Sequence, residues 1–144
     1  MDIGGRITSA WWALRIALGV GVLFAGLDKF FNILTNWGMY LSSLGERFLP
    51  VSAHTFMLSV GVIEMAVGLA ILTRWTRIAA YVAAIWLVLI AVNLVITGMF
   101  YDLGVRDVEM AVAAFTLARL TEARAMAKSA ARAPEGATQH GLAA

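Results

Sequence analysis

The chain has 144 residues, 61% of them hydrophobic and 14% charged, with a formal net charge of +2. A soluble domain of this length has too little interior to hide so many apolar side chains, so the composition points to a membrane. The absence of cysteine excludes disulfides, thiolate metal sites and dithiol redox chemistry, and the small positive charge gives nucleic-acid binding no support.

The fold expected is all-α, a polytopic membrane protein built as a bundle of four transmembrane helices. Residues 1–122 form the membrane domain. The first span is expected at about 9–34, with Trp11 and Trp12 at the inner interface, where indoles prefer to sit. A cleaved leader is disfavoured, because Phe24-Ala25-Gly26 is a poor cleavage site and the apolar pattern continues past it. The segment 35–50 mixes Trp37, Tyr40, Leu41, Leu44, Phe48 and Leu49 with polar residues. It is too polar to span and too aromatic for a plain linker, so it reads as an interfacial piece on the outer side, ended by Pro50.

The second span is expected at 52–73, and the doubly basic turn Arg74-Trp75-Thr76-Arg77 leads into a third at 78–97, closed by Gly98. A short turn over 99–104 precedes a fourth span at 105–120, only just long enough, with polar ends. The tail 123–144 is basic and reads as largely disordered, although its first part is able to extend the fourth helix. Seven basic residues (Arg6, Arg74, Arg77, Arg119, Arg124, Lys128, Arg132) would lie on the side of the termini and three (Lys29, Arg47, Arg106) on the other. That asymmetry places both termini in the cytoplasm.

Each span carries a stripe at alternating steps of four and three residues, the repeat that packs helices as a left-handed bundle. The stripes are Arg15, Gly19, Val22, Gly26, Lys29; Met57, Gly61, Glu64, Gly68, Ile71; Ala79, Ala83, Trp86, Ile90, Asn93; and Asp107, Ala111, Ala114, Ala118. Polar residues share each stripe with small ones that let backbones approach, so the charges are expected inside the protein and not in lipid. Glu64 lies near the bilayer midplane, where a lone charge costs about 2.5–3.5 kcal/mol on insertion scales. Its expected partner is Arg15. Two readings stay open: a ligand or proton role, or a buried pair that only fixes helix register.

A second group lies toward the outer face: Asp28, Lys29, Asn93, Asp102, Arg106, Asp107 and Glu109. Asp28, Asp102, Arg106 and Glu109 read as solvated helix ends, whereas Lys29 and Asp107 sit on packing stripes and read as a buried network. Asn93 reads as a helix–helix hydrogen bond. His54 and His140 have no companion ligands, so no metal or haem site is expected.

Three blocks in this order resemble the DoxX-like family of small four-helix membrane proteins. They are Leu14-Arg15-Ile16-Ala17-Leu18-Gly19 through Phe24-Ala25-Gly26-Leu27-Asp28-Lys29-Phe30; Gly61-Val62-Ile63-Glu64-Met65-Ala66-Val67-Gly68 with the basic turn and Ala79-Ala80; and Asn93-Leu94 through Tyr101-Asp102 and Arg106-Asp107 to Leu117-Ala118. The resemblance covers about 11–120 and leaves out segment 35–50 and the tail. It implies a bacterial or archaeal cytoplasmic-membrane protein whose relatives accompany quinone-linked oxidoreductases, and it transfers no catalytic residue. The expected role is a non-catalytic or co-catalytic subunit with no cofactor of its own, drawing electrons from a redox partner protein. A quinone head group would bind among Lys29, Arg15 and Asn93, with Glu64 or Asp107 handling protons. Two rivals remain: a scaffold without a ligand, and a small transporter or proton channel, for which no inverted repeat is detectable.

Overall fold

The computed structural model describes residues 3–48 and 50–141, with side chains described except at 3, 44, 45, 48 and 133–141. It is all-helical: α1 (Ile3–Phe31), a 3₁₀ turn (Trp37–Tyr40), α2 (Ser43–Phe48), α3 (Ala53–Leu72), α4 (Thr76–Thr97) and α5 (Tyr101–Gly141). Three helical segments, Gly4–Phe31, Ala53–Leu72 and Thr76–Thr97, are long and apolar enough to cross a membrane. Their outward faces carry Ile16, Phe24, Ile63, Leu69, Ile85 and Val92, a surface suited to acyl chains.

Local chemistry sets the helix ends. Asn32 stops α1 in a left-handed conformation (φ 50°), which a short amide side chain tolerates. Ser52 caps α3 by accepting a hydrogen bond from Thr55 N at 3.2 Å. Gly98, at φ 74°, ends α4 as expected. The following turn is shorter than expected, since α5 begins at Tyr101 and not at residue 105. At its far end α5 runs past Leu120 to Gly141, where the sequence reading placed a largely disordered tail. Alanine, arginine, lysine and methionine dominate 123–132, and all of them propagate a helix well.

The bundle is two closely packed antiparallel pairs, α1 with α3 and α4 with α5; the α3–α4 and α1–α5 contacts are sparser. Glycine zips the first pair. A Cβ on Gly26 would stand 2.6 Å from Gly61 O, and one on Gly68 would stand 2.7 Å from Leu23 N. Only hydrogen fits between these backbones. Alanine joins the second pair, with Ala79, Ala80, Ala83, Ala111, Ala114 and Ala118 all buried. All four stripes face inward as expected: the glycines, alanines, Val22 and Ile71 are buried, and Met57, Trp86, Ile90 and Asn93 line an internal chamber.

The two ends of the bundle differ. Near the termini the interior is solid: Trp11, Leu18, Ile71, Ala80, Ala114, Leu117 and Ala118 form one core. Trp11 Nε1 donates to Thr121 Oγ1 at 2.7 Å, tying α1 to α5. At the opposite end the loose joints leave a chamber of about 680 Å³, walled by α1, α3, α4 and α5. Residues 34–41, read from sequence as an interfacial piece, supply its lid.

Candidate intramembrane polar chamber

Glu64 pairs with Lys29, and not with Arg15 as the sequence suggested. Lys29 Nζ stands 2.5 Å from Glu64 Oε2, and the two residues are only 4% and 6% exposed. The direction of helical side chains decides this choice. Each Cα–Cβ bond tilts toward the N-terminus of its own helix, so in an antiparallel pair Lys29 leans into the bundle while Glu64 leans outward to meet it. Arg15 leans the opposite way, toward the termini. It is spent on the exposed carbonyls closing α3: Nε donates to Ile71 O at 3.0 Å, and Nη2 to Leu72 O and Thr73 O at 2.6 and 2.5 Å. Those are the terminal acceptors of a helix, two of them also taking a hydrogen bond from Thr76 Oγ1, and a cation is favoured there. The guanidinium also lies over Trp11 and Trp12, 4.7 and 5.0 Å from the ring centroids.

Lys29 has further partners. Its Nζ lies 3.4 Å from Ala25 O and 3.8 Å from the centroid of Trp37, whose ring covers it from the lid. Asp107 approaches from α5, 4% exposed, close enough for its charge to be felt by Glu64. Arg106 Nε and Nη2 both donate to Asp107 Oδ1, at 3.1 and 3.0 Å. The Arg106 side chain is more than half exposed, so this pair marks the chamber's edge. The midplane and outer-face groups expected separately are therefore one cluster of two carboxylates and one fully buried ammonium. Asp102 is exposed in the first turn of α5, whereas Glu109, also exposed, lies two turns into the helix and not at its end as expected.

Two members of the expected set build the lid. Asp28 is not a solvated helix end but buried, 8% exposed. Its carboxylate accepts from Ile33 N, Leu34 N and Trp37 Nε1, the last at 2.7 Å, and so folds the chain back over α1. Asn93 makes no helix–helix bond. Its Oδ1 accepts from Ser42 N at 3.1 Å and its Nδ2 donates to Tyr40 O at 2.7 Å, clamping the lid to α4. Edge-on aromatic contacts join Tyr40 to Trp37 and to Phe100 beyond α4.

Sequence reasoning did not single out two residues of this site. Trp37 sits in a segment noted for its aromatics, but nothing in its spacing reports that it covers Lys29. Trp86 lies on the α4 stripe, which reads as packing. It lines the chamber facing Glu64, and its buried Nε1 is directed toward that carboxylate without forming a well-made hydrogen bond. No group of histidine, aspartate or glutamate able to hold a metal ion occurs among the described residues.

Comparison of the chain with protein-family models, with curated proteins and with solved structures gives no match.

Proposed function

We propose that this chain is a four-span subunit of a bacterial or archaeal cytoplasmic membrane, with both termini cytoplasmic, that supports a quinone-linked oxidoreductase. The lid-end chamber receives the quinone head group. The family resemblance of the sequence suggests the partner class, and one observation carries the site: an apolar chamber of about 680 Å³ whose wall holds a buried lysine and two carboxylates. Ligand sites occupy a few hundred to about 1,000 Å³ and combine apolar walls with a few placed polar groups.

The residues present fit a quinone. Val22, Val60, Val67, Leu87, Ile90 and Met110 offer the ring an aliphatic wall. Glu64 and Asp107 are proton-exchanging groups in reach of the same space. A bound quinone supplies an acceptor for two electrons and two protons, and the electrons come from a partner protein. Lys29 holds Glu64 Oε2 in place, and Asp107 has Oδ2 to take a proton because Arg106 occupies Oδ1. The lid covers one end of the chamber and the solid core closes the other. That core also weighs against a channel, which needs a continuous path.

The four-span topology rests on the basic-residue asymmetry and on the packing of the first half of α5 as the fourth wall of the bundle. Single cysteines introduced at Ser43 and Ser129 into this cysteine-free chain test it. Ser43→Cys should react with a membrane-impermeant maleimide from outside the cell, and Ser129→Cys only after lysis; the reverse pattern overturns the orientation. For the site, a quinone analogue should bind the purified protein, and Glu64→Gln should weaken that binding or the coupled activity of the native complex. If neither occurs, the quinone role falls. A stable partner and unaltered activity in Glu64→Gln would leave a scaffold.

A further inference from the structure

Trp86 Nε1 is the one buried side-chain nitrogen or oxygen among the described residues without a well-formed hydrogen bond, although it is directed toward the Glu64 carboxylate. Buried indole N–H groups normally find an acceptor, and an unmet buried donor costs about 1–3 kcal/mol. Such a cost calls for an explanation. The atom lies in the chamber wall, beside a carboxylate whose Oε2 is already taken by Lys29.

The other donors at the wall each hold at least one partner within the protein. Lys29 Nζ is shared among Glu64, Ala25 O and the Trp37 ring. Asn93 Nδ2 is on Tyr40 O, and Trp37 Nε1 on Asp28. Arg106 is on Asp107, and the Tyr40 hydroxyl meets Thr35 Oγ1 at 3.1 Å. Arg106 and Asn93 keep further N–H groups, but Trp86 Nε1 is the one buried wall donor that holds no well-formed bond inside the protein. The cations of the wall are each paired with a carboxylate, so an entering anion would be buried without compensation.

We infer that Trp86 Nε1 determines the specificity of the chamber by donating to an uncharged acceptor oxygen, such as a ring carbonyl, on an otherwise apolar ligand. The residue selects such a molecule over a hydrocarbon of the same shape, and the apolar chamber with its cations already paired disfavours a carboxylate. This assignment rests on the quinone reading and deepens it, naming the group that meets the carbonyl.

The test uses the full chain in mild detergent with three probes of one ring shape: 2-methyl-1,4-naphthoquinone, 2-methylnaphthalene and 2-naphthoate. In the wild type, the naphthoquinone should bind more tightly than either other probe. It should also shift the ¹⁵N–¹H indole resonance of Trp86, identified as the one lost in Trp86→Phe. Trp86→Phe should weaken naphthoquinone binding roughly tenfold, as loss of one hydrogen bond requires, and leave methylnaphthalene binding unchanged. Equal losses for both probes, or no loss for the quinone, overturn the role of Trp86 and leave the quinone reading standing. Failure of the naphthoquinone to bind the wild type overturns the quinone reading, and this assignment with it. Should Trp86→Phe not fold, the Trp86 resonance is identified by elimination from Phe substitutions at Trp11, Trp12, Trp37 and Trp75, and an unmoved Trp86 signal at saturating naphthoquinone overturns the proposal.

Discussion

Lys29 on α1 lies opposite Gly61, three residues before Glu64 on α3, yet the side chains of Lys29 and Glu64 meet at 2.5 Å because each leans toward the other. The pair is buried and has little solvent to fall back on. Removing one partner strands a charge, which costs about 3–5 kcal/mol in buried pairs, whereas replacing both with apolar residues of similar volume is often neutral. Lys29→Ala and Glu64→Ala should each lower the thermal unfolding midpoint in detergent sharply, and Lys29→Met combined with Glu64→Leu should recover most of the loss. A double variant no more stable than the singles would show that the pair is not a closed unit.

The α1–α3 contact rests on glycine, and the site rests on that contact. A methyl at Gly26 or Gly61 meets backbone of the opposite helix, which has no flexible end to move aside. Gly26→Ala and Gly61→Ala should each cost about 1–3 kcal/mol, the range for overpacking. Gly21 is the internal control, because a Cβ there meets nothing within 4 Å. Gly21→Ala should be neutral or gain up to about 1 kcal/mol from better helix propensity. Equal effects at all three positions would mean that propensity, not close approach, governs this helix.

Arg15 and Glu64 separate stability from ligand binding. Arg15 satisfies three carbonyls at the end of α3 with one planar group, a task that a lysine ammonium performs less well. Arg15→Leu should lower the unfolding midpoint and leave binding of a quinone analogue within twofold of wild type, and Arg15→Lys should fall between. Loss of binding in a folded Arg15→Leu protein would place Arg15 in the site and contradict the arrangement described.

Much of the fold was legible because burial has a period. Glycine, alanine and the charged residues recur every three or four positions, and that stripe predicted the inner face of all four helices. The partner of Glu64 was not legible. Stripe membership gives a side chain's face but omits its lean along the axis, and that lean separates Lys29 from Arg15. The lid was hidden for another reason: Asp28 and Asn93 bind chiefly backbone groups, and a sequence does not show which amides a loop will present. The far reach of α5 was masked by the polar, Ala/Pro/Gly/Gln-rich composition of the chain's last residues, which reads as disorder although 123–132 are rich in helix formers.

Asn93 clamps the lid at two points of its backbone, one through each end of its amide. Leucine has nearly the same shape and neither bond, so Asn93→Leu removes the clamp without opening a hole in α4. Without it, Tyr40 O and Ser42 N must turn to water, which requires the segment to lift. The variant should show amide exchange at Ser42 accelerated by at least tenfold, corresponding to loss of about 1.4 kcal/mol or more of local protection. Amides in the middle of α3 and α4 should keep their rates. Thr35→Val removes only the bond to the Tyr40 hydroxyl and should have a smaller effect. If exchange at Ser42 is unchanged in Asn93→Leu, the aromatic contacts of Tyr40 with Trp37 and Phe100 hold the lid, and Phe100→Ala should then release it.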